Sequence, residues 1–209
     1  MRLVLASNNA KKLIELRALL AALAVEWIST GELGIAEPPE PHLSFIENAL
    51  AKARHAALHA GAAAIADDSG LCVAALGGAP GVASAHFAAV ALPDAGREAQ
   101  RRVQDRANSA LLIDRLRGQP DRRAHFSCTL VAVRSANDPE PLVAIGRWRG
   151  DILESPRGDG GFGYVPLMYI ADLGATVAEL DAATKNEHSH RALAAREMLT
   201  LMRGNWHLA

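Results

Sequence analysis

Ala62-Ala63-Ala64-Ile65-Ala66-Asp67-Asp68-Ser69-Gly70-Leu71-Cys72-Val73 is the stretch around which the rest of the chain can be placed. An apolar run leads into two adjacent acids, and after a hydroxyl and a glycine the apolar character resumes. Such a run reads as a buried strand, expected here to enter a bend at the acids. Side chains of an extended segment alternate between faces, so Asp67 and Asp68 cannot both face one metal ion without a kink. One of them therefore has a structural or supporting role. Carboxylates at the mouth of a buried strand suit a hard divalent cation, which takes oxygen ligands and shares them with substrate phosphates. The expected chemistry is phosphate chemistry.

Acids separated by one residue would share a face, as in the haloacid dehalogenases, and this adjacent pair fits that pattern poorly. On the N-terminal side, Leu3-Val4-Leu5-Ala6 reads as a second buried strand, and Leu13, Leu16, Leu20 and Leu23 recur at helical spacing. Between them Ser7-Asn8-Asn9-Ala10-Lys11-Lys12 places a hydroxyl, two amides and two ammonium groups at a helix start, where free N–H groups favour anions. It is either a triphosphate cradle or a solvated turn with a capping Ser or Asn. It is not a Walker loop, because it contains no glycine. Trp27 to Pro41 reads as a loop carrying Glu37 and Glu40, each a ligand or a solvated charge. Ser44-Phe45-Ile46-Glu47 matches a capping box, so a helix is expected through Asn48, Lys52, His55 and His59 toward Gly61. Asn48 and Lys52 share a face of it. Glu47 reads as a cap, and Lys52 as a functional or an ordinary surface lysine.

On the C-terminal side, Gly77-Gly78-Ala79-Pro80-Gly81-Val82-Ala83-Ser84-Ala85 is a loop, and Arg97 to Leu116 has the pattern of an amphipathic helix. Its Arg101, Arg102 and Arg106 read as a solvated face with nothing catalytic on it, or else as a basic stripe. Phe126, Cys128, Leu130 and Ala132 alternate, the chain breaks at Ala136 to Pro141, and Leu142 to Trp148 resumes, the outline of a long hairpin. Gly158-Asp159-Gly160-Gly161-Phe162-Gly163-Tyr164 is a turn whose backbone could approach a ligand while a ring stacks on a base. Lys185-Asn186-Glu187-His188-Ser189-His190-Arg191 runs into a last helix with Ser189 as N-cap. It is an anion site or a polar loop.

The chain has 209 residues and is 50% hydrophobic, enough for one large domain or two small lobes without a clear linker. A formal net charge of -1 argues against binding to a nucleic-acid backbone and leaves single nucleotides open. No apolar run reaches the roughly 18 residues of a membrane span, and Met1-Arg2-Leu3-Val4-Leu5 does not open a signal peptide, so a cytoplasmic location is expected. Cys72 and Cys128 read as reduced core thiols rather than a zinc site or a disulfide. The order of elements is that of a mixed α/β fold.

Taken in order, the segments from Ala6 to Lys12, Phe45 to Ala49 with Lys52-Ala53, Ala66 to Leu71, Gly77 to Ala85, Gly161 to Tyr164, and Lys185 with Ser189-His190-Arg191 resemble the inosine triphosphate pyrophosphatase family over nearly the whole chain. The resemblance implies an elongated mixed sheet flanked by helices, two lobes with a nucleotide cleft between them, and a homodimer. It also implies Mg2+-dependent hydrolysis of non-standard purine nucleoside triphosphates (dITP, ITP, XTP) to monophosphate and pyrophosphate. Carried over by motif, Ser7, Asn8, Asn9 and Lys12 hold the triphosphate with Lys52 beside it. Asp68 binds the metal and activates water, Ser69 contacts substrate, and Glu40 is the nearest match to a second metal ligand. Phe162, with Gly163 and Tyr164, takes the purine, and Lys185, His190 and Arg191 read the keto base. Lysine and arginine donate and never accept, so Lys185 and Arg191 favour O6 over an amino group. A buried donor left without its acceptor costs about 1–3 kcal/mol.

The chain departs from the family at Asn8 and Lys11, where glycine is common, and at Val165, where an acid follows the aromatic pair; His86 and Phe87 are milder changes. The loss of the acid bears on base selectivity. Two rivals follow, a nucleotide sensor without turnover and a pyrophosphatase of shifted base specificity.

Overall fold

The computed structural model describes residues 1–208, with the backbone alone at Ala10 and Lys11. Its elements are β1 (Arg2–Leu5), α1 (Ala10–Leu19), β2 (Glu26–Ser29), α2 (Phe45–Ala60), β3 (Ala63–Val73), α3 (Arg97–Arg115), β4 (Arg123–Val133), β5 (Leu142–Ile152), β6 (Met168–Ile170), β7 (Ala175–Thr176), α4 (Ala182–His188) and α5 (His190–Trp206). The strands form one mixed sheet in the order β2-β1-β3-β4-β5-β6-β7. β1 runs parallel to β2 and β3, as strands joined through helices can, whereas β6 is antiparallel to β5 and β7.

The chain divides into two units, each with its own core. The first comprises Met1–Ser69, Cys128–Arg147 and the chain from Asn186 onward; the second comprises Gly70–Ser127 and Trp148–Lys185. In the first unit strand parity sorts the core into two layers. Leu3, Leu5, Ile65, Cys128 and Leu130 face Leu16 and Leu20 of the α1 region and Ala194, Ala195 and Met198 of α5. Val4, Ala64, Ala66, Val131 and Val133 face Ala49, Ala53, Ala56 and Ala57 of α2, whose small side chains let helix and sheet approach closely. Fully burying a leucine such as Leu3, Leu5 or Leu20 contributes about 1.5–3 kcal/mol, so the first layer alone anchors α1 and α5 firmly. The second unit is built on Leu71, Val73, Leu112, Leu116, Phe126, Trp148, Leu167, Met168 and Ile170.

Four expectations are corrected. β3 runs unbroken from Ala63 to Val73 with no bend at the acids, because neighbouring strands supply partners for a segment whose own Ser69-Gly70 suggests a turn. Trp27 to Ser29 is not loop but belongs to β2, an edge strand too short to show a period. Residues 185–188 are the end of a helix. β4 is buried continuously from Phe126 to Val133 and not on one face alone, since it lies in the middle of the sheet.

Helix caps follow the sequence. Ser44 Oγ accepts from Glu47 N–H, and Gly61 closes α2 in the left-handed conformation. The reciprocal half of the capping box differs, since the Glu47 carboxylate accepts a hydrogen bond from the Ser44 hydroxyl at 2.6 Å and not from the Ser44 backbone N–H. Ser189 Oγ caps α5 by accepting from Ala192 N–H at 3.1 Å, a device whose loss costs about 1 kcal/mol. The start of α5 lies against β5 at Gly146, where a Cβ would come within 1.9 Å of the His190 carbonyl oxygen and 2.5 Å of Ala194 N. Only glycine permits that approach, and it sets the position of His190 and Arg191. Among the described residues no helix is long and apolar enough to cross a membrane.

Candidate active site

Parity in β3 decides what the two acids do. Asp67 is in phase with Ile65 and points to the α1 and α5 layer; Asp68 is in phase with Ala64 and Ala66 and points to the α2 layer. Asp67 Oδ1 accepts from Lys12 Nζ at 3.1 Å and from the Ser69 hydroxyl, and its Oδ2 accepts from Arg191 Nε at 2.7 Å. Arg191 Nη1 donates to Glu15 of α1, so Lys12, Asp67, Arg191 and Glu15 form a chain of paired charges across α1, β3 and α5. The Asp67 side chain is fully buried, and burial alone would raise its pKa. The Lys12 and Arg191 cations prevail and hold it well below the usual carboxylate range.

On the other face Asp68 Oδ1 accepts from Lys52 Nζ at 3.0 Å, and Glu40 Oε1 lies 3.3 Å from the same ammonium. Burial raises the Asp68 carboxyl above its ordinary value against the pull of Lys52, the direction that makes a carboxylate a better proton acceptor. Lys52 is also raised, because Asp68 and Glu40 outweigh its burial, and it stays an ammonium. Asp68 Oδ2 is buried with no hydrogen-bond partner. An orphaned carboxylate oxygen is costly unless something else takes it, and a cation is the ordinary occupant.

The other acids near this point have separate partners. Glu37 Oε1 accepts from Asn8 N–H at 2.8 Å, and Glu47 is turned to Ser44. Glu40 is the one beside Lys52. Asn48, on the same face of α2 as Lys52, accepts from His42 N–H at 3.1 Å and donates to His42 O at 3.3 Å, which fixes the segment just after Glu40 and Pro41.

The turn before α1 is held by its own side chains. Asn9 N–H donates to Ser7 Oγ at 3.1 Å, Asn9 Oδ1 accepts from Lys12 N–H at 3.4 Å, and Thr30 Oγ1 donates to Asn8 Oδ1 at 3.3 Å. Asn9 is thus a cap, as one of the two sequence interpretations has it. Asn8 does not take up the left-handed conformation of a glycine, since His207 is the only non-glycine with positive φ among the described residues. The side chain of Lys11 lies outside them.

His190 follows the α5 cap with its Nδ1 shut off from solvent, and burial beside Arg191 pulls its pKa down to about 3. The unfolded value is about 6.5, so the stability present above pH 6.5 is lost as pH falls from there toward about 3, where the unfolded chain binds a proton the native state refuses. Denaturant midpoints at pH 7 and pH 5 should show this slope, and His190→Gln should flatten it. Cys128, buried in the same layer, has its thiol pushed up to about 12, which makes it inert.

Ser7, Asn8, Asn9, Lys12, Glu40, Lys52, Asp68, Ser69, His190 and Arg191 all belong to the first unit. Phe162, Gly163, Tyr164 and Lys185 belong to the second. There Gly161 and Gly163 adopt φ of 87° and 65°, which their neighbours could not. A Cβ at Gly161 would come within 2.7 Å of Val165 Cγ2, so Val165 packs against the turn. Tyr164 is buried with its hydroxyl donating to Ser84 O at 2.9 Å, and burial raises its pKa. Lys185 lies in α4, which Asp181 begins by accepting from Thr184 N–H at 2.7 Å. Two residues to which the sequence reading gave no part in the site also stand out, Glu15 beside Arg191 and Arg101 over the Phe162 ring. Glu15 lies three residues after Lys12 on a helix, and that spacing was the only available hint.

Residues 3–201 match the model of the Ham1 family. A dITP/XTP pyrophosphatase of Methylibium petroleiphilum is 68% identical over 99% of both chains, and one from Leptothrix cholodnii is 65% identical over the full length of both. Among solved structures, a HAM1 protein from Coxiella burnetii superposes with a TM-score of 0.87 at 38% identity, covering 98% of this chain and 99% of that one. A dITP/XTP pyrophosphatase from Mycobacterium abscessus gives 0.73 at 38% identity, covering 97% and 99%. With a family model matched along nearly its whole length and relatives this similar in sequence and in fold, the chain belongs to the Ham1 family.

Proposed function

We propose that this protein hydrolyses non-standard purine nucleoside triphosphates such as dITP and XTP to the monophosphate and pyrophosphate, acting as one catalytic domain. The observation that carries the proposal is Asp68, whose buried Oδ2 is unbonded while its Oδ1 is held by Lys52. High identity to proteins named dITP/XTP pyrophosphatase supports it.

An all-oxygen pair, Asp68 with Glu40, suits Mg2+, an ion which takes one or two carboxylates and completes its shell with substrate phosphates and water. Asp68 and Glu40 would hold it, and when bound it supplies charge neutralisation on the phosphates. Asp68 accepts a proton from the attacking water. The anhydride between the α and β phosphates breaks as the new oxygen–phosphorus bond forms, and pyrophosphate leaves with the electron pair. Lys12 and Lys52 balance the charge that moves onto it. Ser7, Asn8, Asn9 and Ser69 line the triphosphate. Phe162, Gly163, Tyr164, Lys185, His190 and Arg191 are assigned to the base, the donors favouring O6. The enzyme is proposed to work in the cytoplasm as a homodimer.

The test is incubation with dITP, XTP, dATP and dGTP in the presence of Mg2+, with products separated by ion exchange. dIMP and pyrophosphate from dITP are expected, with dATP spared. Orthophosphate in place of pyrophosphate overturns the cleavage site, and thermal stabilisation by dITP without product favours a sensor.

A further inference from the structure

The helix α3, whose charged face looks solvated in the sequence, is spent on the two glycine-rich loops of its own unit. Arg101 Cζ lies 4.2 Å from the centroid of the Phe162 ring, inside the range of a cation–π contact. One turn on, Asp105 Oδ2 accepts from Gly163 N–H at 3.0 Å. On the same face Gln104 donates to Ala88 O at 2.8 Å and to Asn108 Oδ1 at 2.9 Å. Asn108 Nδ2 donates to Ser84 O at 3.2 Å and Ala85 O at 3.1 Å, and its Oδ1 accepts from Ala88 N–H at 2.9 Å. Ser84 O is also the acceptor of the Tyr164 hydroxyl. Residues 101, 104, 105 and 108 are thus a stripe at helical spacing that ties Ser84, Ala85 and Ala88, in and just after a short 3-10 helix from Gly81 to His86, to the turn carrying Phe162 and Tyr164.

We propose that Arg101 and Asp105 are positioning residues for purine recognition, holding the Phe162 ring and the backbone of its turn in the orientation that stacks on the base. A turn with two left-handed glycines is mobile unless tied, and a phenylalanine at its tip must be ordered before it stacks. Asp105 fixes the backbone through Gly163, and Arg101 fixes the ring. The ordering cost is then met in the free enzyme, which lowers KM and leaves the reacting groups untouched.

The inference rests on the assignment of Phe162 to the base, which is tested separately by wild-type turnover of dITP and by the KM of Phe162→Ala. Immobilising one side chain changes affinity by about three- to tenfold, so Arg101→Ala should raise KM for dITP by that factor with kcat within about twofold. Arg101→Lys, which keeps a cation over the ring, should recover part of it. In the Phe162→Ala background Arg101→Ala should change nothing further, because its partner is gone. Arg101 is half-buried on the surface of α3, so melting curves of these variants should match the wild type. An unchanged KM, a loss confined to kcat, or an undiminished effect in the Phe162→Ala background overturns the proposal, and on an enzyme that turns over dITP it does so without touching the assigned activity.

Discussion

Asp68→Asn should lower kcat for dITP by about 10²–10⁴-fold, the usual contribution of a positioned general base, while the protein stays folded. Asparagine has the outline of aspartate, and its oxygen can still accept from Lys52, which now donates to Asp68 Oδ1 at 3.0 Å. The atom that changes character is Oδ2, the buried oxygen without a hydrogen-bond partner, which becomes an amide nitrogen that neither accepts a proton nor offers a lone pair to a cation. Stability should hardly fall, because burial already disfavours the charge on Asp68 and Lys52 keeps Glu40 as counterion. Single-turnover rates with thermal melts test this. An asparagine variant retaining a substantial share of wild-type kcat removes Asp68 from the role of base, and one that does not fold shows that its charge serves the structure. Asp67→Asn is the internal control: Asp67 faces the other side of β3 and should act mainly through substrate binding and stability.

That difference between neighbouring acids was half legible in the sequence. Opposite orientation follows from the two-residue period of a strand, and it held because β3 passes straight through the pair. Which acid faced which helix depended on partners 55 and 124 residues away for Asp67, a long-range fact no local pattern contains. The cap of α2 at Ser44 and of α5 at Ser189 were legible because a cap is made within four residues. The bend expected at the acids was not formed, since polar and glycine residues favour turns only where no neighbouring strand competes. The polar face of α3 misled for a different reason. Arg101, Gln104, Asp105 and Asn108 are spaced as residues on a solvated face would be, and their targets are mostly backbone groups of distant loops, which leave no mark in composition. Of the candidate metal acids, Glu40 could be told from Glu37 and Glu47 only by the partners that the other two hold.

Asp67→Ala should destabilise the protein by about 3–5 kcal/mol, the cost of breaking a buried ion pair from one side. The Arg191 side chain is 7% exposed, and its Nε loses the carboxylate that holds it at 2.7 Å. Glu15 cannot compensate, because it engages a different nitrogen and is itself 41% exposed. Adding Arg191→Met to Asp67→Ala should recover most of the loss, since a buried pair replaced by apolar groups is often nearly neutral whereas an orphaned charge is not. Guanidinium titrations of the three proteins decide the matter: a single-variant loss under about 1 kcal/mol, or a double variant no more stable than Asp67→Ala, would mean that water reaches Arg191. Function should follow a different order. Lys12, 21% exposed and anchored on Asp67 Oδ1, loses its aim in both variants, and Arg191→Met also removes a donor assigned to the base, so KM for dITP should stay raised even where stability returns. The chain of charges through Lys12, Asp67, Arg191 and Glu15 thus carries two roles that one deletion confounds. The Asp67–Arg191 pair holds α5 to β3, and the Asp67–Lys12 pair holds an ammonium at the turn proposed to take the triphosphate.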